Sequence, residues 1–322
     1  QLFEWLVTAL ERGTANREVV FAGFLMLAVA STVFFSLDTT AVMLTPLAVQ
    51  LGSRFRLPLP AAALSVVWIA NLASLPLPVS NLTNLLALSG GAFSSNHDYI
   101  RAAAAPAAAA IAVAVAAAYC ARGVYRRGIS ASAAAIPDVP RPTGATVVLA
   151  ATVAALLTPV PYWLTGVVAA VAMWLAVGPA GRREGAASLI PWHALLLAAT
   201  LSAAASLALH LETVAAAVGH LDGAHPGAIA AAGAVAANGI NNLPAFLALE
   251  PAAGSPAGVM ALLIGVNVGP VVTPWASLAT LLWADQLKRA GAAVPWSHFI
   301  LWGAVLAPAA VTAATAALLA TG

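Results

Sequence analysis

"GPVVTPWASLATLLW", residues 269–283, decides how this chain is read. It sets two prolines, a glycine and three hydroxyl residues (Thr273, Ser277, Thr280) inside a run that is otherwise Val, Ala, Leu and Trp. Proline removes an amide donor and clashes with the preceding helical turn, so the spacing predicts a helix broken near its middle. Within hydrocarbon, unwound backbone survives only where it is buried in protein or lines a polar cavity.

That hydrocarbon is the solvent follows from the rest of the chain. Its 322 residues are 62% hydrophobic and 7% charged, where a soluble domain carries about a quarter charged residues. Apolar runs such as 102–121 and 301–320 are long enough to span a bilayer. The protein reads as an all-α polytopic membrane protein. Its one cysteine, Cys120, excludes an intrachain disulfide and a multi-thiolate metal site. No basic patch suggests nucleic acid. The segment opens "QLFEWLVTALERG" without Met or a cleavable leader, which predicts that further chain precedes it.

Polar punctuation separates apolar blocks at 18–51, 57–93, 102–121, 144–158, 160–178, 189–209, 225–252, 257–286 and 295–320. Block 18–51 would be about 51 Å long as one helix, against a core of about 30 Å. With "SLDTT" (36–40) near its centre, it reads as a re-entrant hairpin. Threading 225–252 as a second hairpin, entered from the other side, places twelve of the thirteen Lys and Arg on one side, Arg101 being the exception. The positive-inside rule makes that side cytoplasmic. A shift of 196 residues then lays Asn71 on Asn267, Pro78 on Pro274, Leu82 on Leu278, Leu85 on Leu281 and Leu86 on Leu282. "SLDTTAVMLTP" (36–46) likewise has a counterpart in "NGINNLPAFLALEP" (238–251). The fold expected is an inverted repeat with two re-entrant hairpins and two broken transmembrane helices. Residues 1–127 form the first repeat, 128–143 a cytoplasmic linker and 144–322 the second repeat. About 60 residues of the first repeat are expected to be missing from this chain.

Paired broken helices in an inverted repeat point to a transporter's midplane site. The four tips ("SLDTT", "PLPVSNLTN", "NGINNLP" and "GPVVTPWASLAT") would converge on a chamber lined by Ser80, Asn81, Thr83, Asn84, Asn241, Asn242, Thr273, Ser277 and Thr280. Such groups suit a small oxygen-rich solute that donates and accepts hydrogen bonds. Single Ser and Thr residues in membrane helices also serve as glue between helices. Asp38 is the acid in mid-block, and carboxylates at that depth are functional by default; it is the candidate for proton coupling. Asn71, Asn267 and Thr39 are secondary candidates. Trp192, Trp283, Trp296 and Trp302 read as interfacial anchors. The Ala run 102–110 reads as compositional bias, and the six His sit at block edges without ligand spacing.

The stretch 269–283 and its continuation, "WADQLKRAGAAVPWSHFILWGAVL", resemble the ArsB-type arsenite and antimonite efflux permeases of the ion-transporter superfamily. That family's pattern G-P-x-[IV]-T-P-x-x-S-L-A-T-L-L-W is matched at Gly269, Pro270, Thr273, Pro274, Ser277, Leu278, Ala279, Thr280, Leu281, Leu282 and Trp283. "SLPLPVSNLTNLLA" and "INNLP" resemble two further family motifs, and the similarity runs from "LFEW" to residue 320. The resemblance implies spans upstream of Gln1, and the superfamily's sodium-dicarboxylate members have paired hairpins with substrate between their tips. Where the family often carries Asp, this chain has Asn71 and Asn267, and at the first tip Leu37 precedes Asp38 where the family has Asn. These departures concentrate any proton coupling on Asp38.

The function expected is export of trivalent arsenic or antimony as the neutral hydroxide, against protons, across the cytoplasmic membrane. Alternatives are a sodium/proton antiporter, a small carboxylate or oxyanion carrier, or the membrane subunit of an ATP-driven pump. The last needs a separate cytosolic ATPase, since no nucleotide-binding loop occurs here. A homodimer is compatible with all of them. No cofactor is expected. No nucleophile–base pair supports an enzyme.

Overall fold

The computed structural model describes residues 16–55, 57–125, 143–156, 158, 160–181 and 212–321, with isolated positions in 1–15 and 182–211. The linker 128–142, most of span 189–209 and Arg12, Arg56, Arg126, Arg127, Arg141, Arg182 and Arg183 lie outside these residues. Among the described residues every regular element is helical. Helices α1 (Arg17–Phe35), α2 (Leu37–Phe55), α3 (Leu59–Leu72), α4 (Leu82–Ser89) and α5 (Asn96–Val124) make up the first half. The second half holds α6 (Thr143–Leu156), α7 (Tyr162–Gly181), α8 (Glu212–Gly219), α9 (Pro226–Ile240), α10 (Asn242–Leu249), α11 (Pro256–Val268), α12 (Leu278–Arg289) and α13 (Trp296–Thr321). Three of them, α1, α5 and α13, are each long and apolar enough to cross a membrane.

By compactness the chain divides into a unit of residues 1–24 and 135–195 and a unit of 25–134 and 196–322. This division follows packing, whereas the boundary expected at 128–143 follows the repeat. In the first unit α6 and α7 pair, and Gly144 lets the helices approach, a Cβ there lying 3.3 Å from the Ala176 side chain. The outer faces of α7 are apolar and exposed, Trp163, Val167, Val171 and Trp174 among them. On a water-soluble protein these would be a liability; facing lipid they are ordinary.

The larger unit carries the two broken helices. α3 is buried on all sides from Ala61 to Leu72, and α11 from Gly258 to Val268. A helix apolar all round belongs in a core, and these two are the core. Each ends in a nine-residue break, 73–81 and 269–277, after which a capped helix resumes. Asn81 accepts from the Thr83 amide to start α4, and Ser277 accepts from the Thr280 amide to start α12. The restarts, Leu82 and Leu278, stand 196 residues apart, as the sequence shift predicts. The final helices begin 200 apart, at Asn96 and Trp296, because α12 has 12 residues and α4 has 8. The second half-helix is therefore one turn longer on its side of the repeat.

Each half also bends sharply at one residue. Ser36 (φ 104°) separates α1 from α2 and Asn241 (φ 88°) separates α9 from α10; these are the positive-φ residues other than glycine among those described. Thr40 Oγ1 donates to Ser31 Oγ at 2.9 Å and accepts from Thr32 Oγ1 at 3.0 Å. Nine residues of straight helix would separate Ser31 and Thr40 by about 13 Å, so the chain turns back at Ser36.

The Ala-rich α5 has a purpose that composition alone does not reveal. Ala103, Ala107, Ala110, Ala114, Ala118 and Ala121 form one fully buried stripe. α5 packs along α13, whose own buried positions include Ala310 and Ala314. Small residues allow such helices to come close in a membrane.

Candidate functional site

In the larger unit hydrogen bonds tie each break to the bend of its own half, and the first break also to α11. Ser80 Oγ donates to the Val33 carbonyl at 2.7 Å, tying the first break to the end of α1. The first break is tied in turn to α11 by Asn267. Its Oδ1 accepts from Asn81 Nδ2 (3.0 Å) and from Thr83 Oγ1 (2.7 Å), and its Nδ2 donates to Asn84 Oδ1 (2.8 Å). Asn84 spends its own amide on the Ser74 and Leu77 carbonyls, and Asn81 also donates to Ser74 Oγ. Ser80, Thr83, Asn84 and Asn267 are wholly buried, and Asn81 is nearly so. These side chains bond one another as a closed knot, where the sequence predicted an open chamber. Amides buried in hydrocarbon without partners carry a penalty of several kcal/mol each, so the knot satisfies them internally.

The second break is tied to the second bend. Asn238 Oδ1 accepts from the Val272 and Thr273 amides, its Nδ2 donates to the Ala234 and Gly269 carbonyls, and its carbonyl accepts from Thr273 Oγ1. Asn241 Nδ2 donates to the Trp275 carbonyl and the Asn242 amide to the Ala276 carbonyl, each at 2.8 Å. The Asn242 side chain folds onto its own chain, accepting from the Leu243 amide. Ser277 Oγ and Thr280 Oγ1 bond each other at 2.9 Å, both fully buried. The candidates named from sequence thus fall into separate groups: Asn81, Thr83 and Asn84 gather on Asn267, Thr273 and Asn241 tie the second break to the second bend, and Ser277 and Thr280 pair with each other. Asn238 and Ser74 are the members that sequence reasoning missed; each lies inside or beside a quoted tip, and an amide or hydroxyl there was the available signal.

Two acceptor atoms stand apart from these networks. Asp38 Oδ1 and Asn71 Oδ1 are buried and have no hydrogen-bond partner. Asp38 lies in the first turn of α2, where the helix dipole favours a negative charge. Thr39 beside it closes the bend, its hydroxyl 3.2 Å from Ser36 Oγ. Asn71 Nδ2 donates to the Val67 carbonyl at 2.8 Å, which fixes the bare atom as the oxygen.

Each break is also braced by the helix that comes after it. Tyr99 Oη donates to the Leu75 carbonyl at 2.7 Å. At the equivalent place in the second half, Gly303 lies so close to Val271 that a Cβ would collide with the Val271 carbonyl. Trp283, expected as an interfacial anchor, is buried instead and donates to the Ala63 carbonyl at 2.8 Å. Its indole needs a partner at that depth, and a carbonyl of the core helix α3 supplies it. Among the described residues no three His, Cys, Asp or Glu gather as metal ligands.

A family model described as "Citrate transporter" matches residues 1–258, and one described as "Arsenical pump membrane protein" matches residues 202–319. A protein of Yersinia enterocolitica named "Arsenical pump membrane protein" is 26% identical over 352 residues, covering 94% of this chain and 78% of the relative.

Proposed function

From a chain that belongs to the citrate-transporter family, and whose C-terminal third also matches the arsenical-pump model, we propose a secondary transporter that exports trivalent arsenic or antimony as the neutral trihydroxide in exchange for protons. One observation carries the choice of solute. Apart from the carboxylate of Asp38, the polar side chains of the breaks and bends are amides and hydroxyls, and segments 36–40, 76–84, 238–244 and 269–280 contain no Lys, Arg or His. A trihydroxide needs donors and acceptors and no compensating charge. A tricarboxylate carries charge that is costly to bury unless it is paired. Thiolate capture is not available, since Cys120, the one cysteine, is exposed far along α5.

Asp38 is the proton carrier in this reading, and its unpartnered buried oxygen supports that role. The site lies at the cytoplasmic membrane, with Asn71 and Asn267 electrically silent. Two homologous repeats, 1–127 and 144–322, would alternate its exposure. Coupling is to the proton gradient, and a cytosolic ATPase is not required.

The test is arsenite efflux from cells expressing the full-length protein. Wild type lowers cellular arsenite, and a protonophore abolishes this while ATP is held constant. Asp38→Asn removes the dependence on the gradient but retains arsenite binding at fixed pH. Citrate accumulation without arsenite efflux would replace this reading by a carboxylate carrier. Efflux that survives the protonophore and stops on ATP depletion would replace it by an ATP-driven pump.

A further inference from the structure

Away from the breaks and bends, the α6–α7 pair holds a hydroxyl for which the transport cycle has no use. Thr165 is buried (6% exposed) on a helix whose other described side chains are exposed or half-exposed. Its Oγ1 has no hydrogen-bond partner. Thr45, Ser65 and Thr152 show the usual remedy for a hydroxyl in a membrane helix, donation to the carbonyl four residues earlier. Thr165 does not take it. The residue stands instead in the wall of a cleft of about 410 Å3 between α6 and α7.

The two helices meet where Gly144 abuts Ala176, and the cleft runs along the pair toward the turn at 158–161. Val148, Ala151 and Ala155 line one wall, and Leu164, Val168 and Ala172 the other. Spacings of three and four residues put each set on one helix face, so these two faces do not fill each other. Thr152 also lines the cleft, but its proton goes to the Val148 carbonyl at 2.8 Å. A guest therefore meets one free donor amid aliphatic carbon. Water there would lack the two to four polar partners it needs. No charged residue lines the cleft among those described, so an ionic guest would go unpaired. An acyl chain needs only hydrocarbon, and the ester carbonyl at its head is an acceptor suited to one donor.

Depth agrees with such a guest. Tyr162 and Trp163 open α7, Trp163 being 71% exposed, and such aromatics settle at the level of the lipid headgroups. Thr165 lies about 4.5 Å further along the helix, where headgroup gives way to hydrocarbon, and the wall continues to Ala172 about 10 Å deeper. We propose that the α6–α7 cleft is a lipid seat, in which one acyl chain of a diacyl phospholipid lies between the helices and its ester carbonyl accepts a hydrogen bond from Thr165 Oγ1. The lipid completes the packing of a helix pair that leaves its own inner faces apart. The seat does not depend on which solute the protein carries.

Native mass spectrometry of the purified full-length protein, titrated with a diester phosphatidylethanolamine and with its diether analogue, tests it. Wild type binds one diester molecule about fivefold more tightly than the diether, the effect of one hydrogen bond. Thr165→Val removes that preference and Thr165→Ser keeps it. Ala151→Trp, which fills the cleft with a side chain, abolishes the tight binding. The Thr165 variants change so few atoms that the preference is readable whether or not Ala151→Trp folds. Equal affinity of wild type for the two lipids, or a preference that survives Thr165→Val, overturns the seat. So does tight binding retained by a folded Ala151→Trp protein. A photo-crosslinking residue placed at 151 should capture phospholipid; capture of another segment of this chain, or of a second copy, gives the cleft a protein occupant and ends the proposal.

Discussion

At the scale of single residues, Asn267 does most to join the two halves. Its three side-chain bonds all run to residues more than 180 positions earlier. Asn267→Ala strands two amides and a hydroxyl in a dry interior, where each unmade bond costs about 1–3 kcal/mol. The variant should therefore melt well below wild type in detergent, by the equivalent of about 3 kcal/mol. An alanine variant with wild-type melting would show that the knot is not a clamp. The importance of Asn71 and Asn267 as a pair was legible from the repeat. That Asn267 would be held through both its oxygen and its nitrogen while Asn71 keeps a bare oxygen was not, because the difference depends on partners remote in sequence.

Among elements, the breaks were the most legible, since proline and glycine act through local sterics. The bends were readable from length, although the residues that absorb the turn, Ser36 and Asn241, carry no glycine signature. The braces were illegible, because a close backbone approach leaves no mark beyond a small residue. Gly303 is the example. A methyl group there must push the Val271 carbonyl and the rest of the second break away from α13. Gly303→Ala should lower stability by about 1–3 kcal/mol, the usual effect of overpacking, read as a lower melting temperature. Unchanged melting would mean that the break has slack. In the same way the Ala stripe of α5 is indistinguishable from compositional bias until α13 is seen against it.

For the molecule as a whole, the repeat and the distribution of basic residues make a topology that labelling can check. In a Cys120→Ser background, an impermeant thiol reagent applied from outside should label Asp222→Cys and should not label cysteines placed at 54, 126 or 182. Labelling at 54 without labelling at 126 would rule out the first re-entrant hairpin. The division of the chain into compact units was not legible, because it depends on which apolar faces meet, and nearly every face here is apolar.

The extra turn of α12 carries a consequence for speed. Four residues of helix add about 6 Å to one of two half-helices that otherwise restart in the same way. In the transport cycle proposed above, a longer half-helix that moved would have more contact to break, so the two half-cycles should have unequal barriers, with the slow step on the α12 side. Detailed balance forbids this from choosing the direction of net flux, which the gradients alone determine. In that cycle the added turn would make a turnstile with one stiff hinge, quick to reset from one face and slow from the other, and its maximum rates measured in the two directions should differ even when the equilibrium they approach is the same.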